Sequence, residues 1–230
     1  MSVARKAEIA SNLNQVNERI ASAAAKAGRN PSDIKLIVVT KTFPISDLIY
    51  LHELGVRDFG ENRDQEASEK VPQLPADITW HFQGQIQSNK LKSITSWATY
   101  IHSVDQFKYA KLISDFAGGD RKSVYLQVSL DQIPESRGGV DPAKLAELAN
   151  QVSALPNLLL MGLMAVAPIA ENTDEAFSRL AKIHSGFMTS FPEAKYLSAG
   201  MSGDYESAIA YGATHLRIGS SILGNRQPLI

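Results

Sequence analysis

The chain has 230 residues, with 23 basic and 24 acidic side chains and a net charge of -1, a balance that excludes an electrostatic footprint for nucleic acid or an anionic membrane. It contains no cysteine, which rules out a disulfide framework, a thiolate metal site and a cysteine nucleophile. The longest apolar stretch, 158–170, is too short to cross a bilayer as a helix and is interrupted by Gly162 and Pro168. With no signal-like apolar core, and with Glu8 and Glu18 against a transit peptide, the sequence reads as a cytoplasmic protein.

At the start of the chain, Ile9, Leu13, Val16 and Ile20 recur at helical spacing and predict a helix ending at Gly28. Asn30-Pro31-Ser32-Asp33 breaks it. The β-branched run at 34–40 then reads as a strand buried on both faces, with Lys41 at its end. Further strands are predicted at 58–62, 78–84, 100–105, 123–130, 158–166, 196–200 and 215–219. Helical patterns such as 46–54, 89–96, 106–116, 142–155, 173–187 and 203–211 lie between them. Eight strands alternating with helices, and no Pro-rich or Ser-rich linker, predict one domain over 1–230: an α/β, single (β/α)8 TIM-type barrel with an extra N-terminal helix. An open doubly wound sheet is the alternative.

Chemistry in such folds sits where strands end. A lysine desolvated at that point can lose its proton and attack a carbonyl, so Lys41 is either a Schiff-base lysine or a snorkelling, ion-paired one. Asn62, ending the second strand, either caps the next helix or donates to a ligand oxygen. In the third strand Ile78, Trp80 and Phe82 share the face expected against helices, while Thr79, His81 and Gln83 point into the barrel. By the same parity Arg217 points inward, either paired with an acid such as Glu61 or anchoring a ligand. The segments 198–204 and 219–221 are rich in small residues, which serve either as ordinary turns and caps or as a phosphate cradle after strands seven and eight. His52, His102, His184 and His215 show no metal spacing and read as structural, and Met161, Met164 and Met201 read as gap-filling side chains. The polar loop 131–139 is long enough to cover the barrel mouth as a lid, or is simply a mobile loop.

This layout resembles the YggS/PROSC family of pyridoxal 5'-phosphate (PLP) homeostasis proteins, which share the barrel of alanine racemase. The matching stretches are Val38-Val39-Thr40-Lys41-Thr42-Phe43-Pro44, Phe59-Gly60-Glu61-Asn62, Trp80-His81-Phe82 with Gln87-Ser88-Asn89-Lys90, Met161-Gly162-Leu163-Met164, and Ser198 to Asp204 with Arg217-Ile218-Gly219. The resemblance implies that Lys41 forms a Schiff base with PLP, that Arg217 faces the pyridine nitrogen, and that Asn62 sits near the ring. Ser202, Gly219 and Ser220 would hold the phosphate. The implied cofactor-binding set is Lys41, Asn62, Met201, Ser202, Gly203, Arg217, Gly219 and Ser220, with no metal and no catalytic residue. Gln83-Gly84-Gln85-Ile86, Ala199 and Arg137 depart from the usual family pattern.

Arg217 cannot give up its charge and so disfavours a proton on the pyridine nitrogen, which makes the ring a weak electron sink. Racemisation also needs a second acid/base, which alanine racemases take from an additional β-domain; with Ile230 only eleven residues beyond Gly219, that domain is expected to be absent. The expected function is therefore a PLP carrier or reservoir without substantial catalysis, serving PLP, amino acids and transient PLP-dependent enzyme partners. A weak amino-acid racemase and a cofactor-free Schiff-base aldolase are the alternatives.

Overall fold

The computed structural model of the chain describes residues 2–131 and 138–224. A long helix, α1 (Val3–Lys26), leads through a short 3-10 turn at Pro31–Asp33 into β1 (Lys35–Val39). The units that follow are α2 (Ile45–Glu53), β2 (Asp58–Glu61), α3 (Asp64–Lys70), β3 (Thr79–Phe82), α4 (Leu91–Trp97), β4 (Tyr100–Val104) and α5 (Phe107–Phe116). Beyond them come β5 (Lys122–Gln127), α6 (Leu145–Ser153), β6 (Leu158–Met164), α7 (Thr173–Ser190), β7 (Tyr196–Ser198), α8 (Tyr205–Ala210), β8 (His215–Ile218) and α9 (Ser220–Leu223). The eight strands are all parallel and close in sequence order, with β8 paired to β1 from Lys35↔His215 to Val38↔Ile218. The barrel and its extra N-terminal helix therefore match the sequence reading.

Alternation along the strands separates an apolar layer from a polar interior. Phe59, Trp80 and Phe82 point outward, where Trp80 meets Phe59 and Trp97 edge-on at centroid distances of 5.6 and 6.4 Å. Each such fully buried side chain contributes roughly 1.5–3 kcal/mol by leaving water. His81, on the opposite parity, is fully buried inside the barrel. The stripe Ile9, Leu13, Val16 and Ile20 is buried as expected and packs α1 against α2, α8 and α9, across the β8–β1 seam. Arg5 locks that arrangement, donating to Asp47 Oδ2 at 2.7 Å and to the Leu223 carbonyl at 2.8 Å.

Strands end earlier than their apolar runs. β5 stops at Gln127 rather than 130 because Val128 forms an isolated bridge with Val140, and the Ser129 amide donates to the Val140 carbonyl. The helix expected at 142–155 begins instead as a 3-10 turn, Pro142–Lys144, capped by Asp141. Six residues of the loop considered as a lid, 132–137, including Arg137, lie outside the described residues. No helix among the described residues is long and apolar enough to cross a membrane.

Candidate ligand site at the mouth of the barrel

A cavity of about 290 Å³ opens at the C-terminal ends of the strands, close to the lower size of small-molecule sites, about 300 Å³. All eight residues singled out in the sequence line it: Lys41, Asn62, Met201, Ser202, Gly203, Arg217, Gly219 and Ser220. Val39, Gln83, Met164 and Val166 complete the lining. Of these four only Gln83 carried a usable sequence signal, its inward parity beside His81. A second cavity of about 350 Å³ shares Gln83, Met164 and Val166 and extends toward Asp105 and Asp131.

Lys41 is carried on an unusual turn. Thr42, next to it, has φ +69, a left-handed conformation that is strained for a β-branched residue. Its amide is held by Glu66 Oε1 at 2.5 Å. The same oxygen accepts from Lys70 Nζ at 2.6 Å, and Lys70 also donates to Glu61 Oε1 at 2.9 Å and to the Thr40 carbonyl at 2.8 Å. One ammonium thus spends its three hydrogens on three oxygens around the turn. Burial raises the Glu61 carboxyl above its ordinary range, with Lys70 the main opposing influence.

Arg217 is not paired with Glu61. Glu61 has the opposite parity, faces α3, and is occupied by Lys70 and by the Thr40 hydroxyl at 2.7 Å. The guanidinium, 5% exposed, instead donates to Ser198 Oγ at 2.7 Å and to the Ala165 carbonyl at 2.9 Å. Burial pulls it down to about 10, with Asp204 opposing, so it remains a cation at neutral pH. Asn62 does not cap α3, whose first residue follows Arg63 with no side-chain cap. Its Oδ1 is buried without a hydrogen-bond partner, as is Gln83 Oε1. Two orphaned acceptors in one cavity mark a place where a ligand would supply donors.

The loops after β7 and β8 meet across the cavity. The Gly219 and Ser221 amides converge on Ser202 Oγ, both at 3.4 Å, beyond the usual length of a saturated N–H···O bond. Among the described residues the amides of Ser202, Gly203 and Ser220 donate to no protein acceptor. A Cβ on Gly219 would come within 2.9 Å of the Val39 carbonyl oxygen, whereas Gly203 faces open space. The arrangement brings backbone donors suited to an anion, the lysine side chain of Lys41 and a fixed cation beneath the same opening. No group of three or more metal-ligating side chains occurs among the described residues. His215 is pulled down to about 3 by burial, and His102 falls well below the ordinary histidine range for the same reason, in keeping with structural roles.

Residues 10–227 match the family model described as alanine racemase, N-terminal domain. The chain is 39% identical over 245 residues to the pyridoxal phosphate homeostasis protein of Mycobacterium tuberculosis, covering 97% of this chain and 95% of that protein. It is also similar to a solved structure described as an unknown protein from Bifidobacterium adolescentis, with 32% identity and a TM-score of 0.88 over 96% of this chain and 97% of the other. PipY of Synechococcus elongatus, solved with PLP bound, is 34% identical with a TM-score of 0.78 over 91% of this chain and 100% of its own.

Proposed function

The chain belongs to the alanine racemase N-terminal domain family and, within it, to the pyridoxal phosphate homeostasis proteins; from that premise we propose that it binds PLP at the barrel mouth through Lys41 and holds it for transfer rather than turnover. The observation that carries this reading is one cavity lined by Lys41, Arg217 and the unengaged amides around Ser202 and Ser220. When bound, PLP supplies an aldehyde carbon that a primary amine attacks with loss of water, and a ring that withdraws electrons through its nitrogen.

Lys41, the lysine of the cavity lining among the described residues, would be the amine that attacks that carbon. The amides of Ser202, Gly203, Gly219 and Ser220 hold the phosphate, and the Ser202 hydroxyl gives way to it or adds a donor. Asn62 and Gln83, with their unpartnered acceptors, would receive donors from the polar edge of the ring. Arg217 would serve the ring nitrogen as a permanent donor, which would keep that nitrogen unprotonated and weaken electron withdrawal. That electrostatic choice favours storage and delivery, with recipient PLP-dependent enzymes as transient partners.

Absorbance tests the reading directly. The purified protein mixed with PLP is expected to show a visible band that disappears on borohydride reduction. Colourless protein that still condenses with a sugar phosphate would replace the cofactor by a directly bound carbonyl substrate. Efficient racemisation of a free amino acid by the wild-type protein would replace the carrier with an enzyme.

The cradle makes a graded prediction. Gly219→Val drives a side chain against the Val39 carbonyl and should weaken PLP phosphate binding by roughly one to two orders of magnitude. Ser202→Ala removes a single hydroxyl contact, about 1 kcal/mol, and should cost only several-fold. Equal and negligible losses in a PLP titration would place the phosphate elsewhere.

A further inference from the structure

The barrel interior beneath the cavity contains a continuous line of polar contacts that meets the cavity only at Arg217. It starts at Arg217, which donates to Ser198 Oγ at 2.7 Å; Ser198 Oγ lies 2.8 Å from His102 Nδ1. His102 Nε2 is 2.9 Å from His81 Nδ1, and His81 Nε2 is 3.0 Å from Asp58 Oδ1. The line passes from β8 through β7, β4 and β3 to β2, and Ser198, His102 and His81 are all fully buried. Asp58 opens β2, at the end of the barrel opposite the cavity, where Lys35 Nζ reaches the same Oδ1 at 3.0 Å.

With both imidazoles neutral, donors and acceptors along this line can be assigned in only one way. Arg217 has no acceptor to offer and an ionised Asp58 has no donor. Ser198 therefore accepts from Arg217 and turns its own hydrogen to His102 Nδ1. His102 must carry its proton on Nε2 and donate to His81, which carries its proton on Nε2 and donates to Asp58. Both rings are neutral in this scheme. Burial takes His102 well below the ordinary histidine range and lowers His81 as well, against the opposing pull of Asp58. Burial pushes Asp58 up, but hydrogen bonds from His81 and Lys35 prevail and hold it below the ordinary carboxylate range.

We propose that Asp58 is a positioning residue for Arg217, fixing through His81, His102 and Ser198 the direction in which the guanidinium is held beneath the cavity. The proposal rests on the cavity being the PLP site. Among the described residues no carboxylate forms an ion pair with Arg217, yet a buried cation needs compensation. A chain of hydrogen bonds polarised in one sense delivers it from the far end. Without Asp58 each ring has two neutral tautomers available and the Ser198 hydroxyl is free to rotate, so Arg217 loses its fixed acceptor.

Two measurements decide it. Nitrogen-15 NMR of the histidine side chains in the PLP-free protein should find His81 and His102 neutral and protonated on Nε2 near pH 7. A ring protonated on Nδ1, or a cationic ring, would break the one-way order and overturn the proposal. The second measurement is PLP release from the loaded protein. Asp58→Asn should speed release roughly threefold and Ser198→Ala roughly tenfold, while the double variant should be no faster than Ser198→Ala alone, since both act through one chain. Asp58 and Ser198 are separated by two imidazole rings, so effects without a shared chain would multiply to roughly thirtyfold; that product, or an unaltered Asp58→Asn, would sink the idea. If wild-type protein takes up no PLP, the cofactor reading fails, and the NMR result then decides the chain by itself.

Discussion

Lys41→Ala should abolish covalent PLP capture. Borohydride reduction and peptide mass analysis of wild-type protein should place the pyridoxyl group on Lys41, and the variant should yield no adduct. Weak binding through the phosphate cradle should persist, with residence shortened on the order of a hundredfold or more, as expected when a covalent link is removed from an otherwise intact site. The geometry makes the assignment selective. Lys41 is the one lysine in the cavity lining among the described residues. Lys35 sits at the other end of the barrel, bonded to Asp58 at 3.0 Å, and Lys90 lies in an exposed 3-10 turn. Lys70 is enclosed, with all three donors engaged. An adduct on Lys35 or Lys90 would remove Lys41 from the site.

The second large effect is expected from Lys70→Met. This change leaves the Glu61 carboxylate, which is fully buried, without its cation, and breaking a buried pair in this way costs about 3–5 kcal/mol. Urea denaturation near pH 7 measures it. The pH dependence has a definite sign. Burial has already raised Glu61 in the folded state, and losing Lys70 raises it further. A carboxyl whose folded-state value lies above its unfolded one adds stability below the unfolded value, about 4.3, and loses it as pH rises through the folded one. The deficit of Lys70→Met should accordingly be full at neutral pH and shrink steadily toward about pH 4. A deficit equal at both ends would show that Glu61 is not its origin. The same variant releases Glu66 and the Thr40 carbonyl from their common donor, so the strained turn carrying Lys41 loosens and PLP capture should slow in parallel.

Side-chain parity was the most informative signal in the sequence. It placed His81 and Arg217 inside the barrel and Trp80 against the helices, and the structure has all three there. The same rule, applied to β2, separates Glu61 from Asn62, and the pairing of Arg217 with Glu61 fails on that count. The true partner of Glu61 is Lys70, whose only mark in the chain was its place four residues after Glu66 on one helical face, within a helix too short for its periodicity to stand out. Gly219 and Ser202 were legible because small residues after strands seven and eight have few other uses. Ser198 and Asp58 were not, since a serine or an aspartate within a strand has no local feature that reveals which histidine, dozens of residues away, it will meet. Contacts of that kind are set by barrel closure, and periodicity does not carry them.

Closure also sets an order of events during synthesis. Arg5 meets the Leu223 carbonyl across 218 positions of chain, and β1 finds its second neighbour only in β8. A ribosome releases α1 and β1 first, so the part of that helix that meets α8 and α9, and one open edge of that strand, wait without partners until β8 and α9 emerge. Pairings between such distant segments are slow to form, and an unpaired edge is the part of a nascent chain most exposed to wrong association. A chain stalled before β8 already carries Lys41 but has neither Arg217 nor the amides around Gly219, so on the proposed function it would present the amine without the means to retain an aldehyde. On the proposed function PLP would therefore stabilise only the finished barrel, by mass action after the seam has closed, and its supply would bear on how long the folded protein lasts rather than on how it folds.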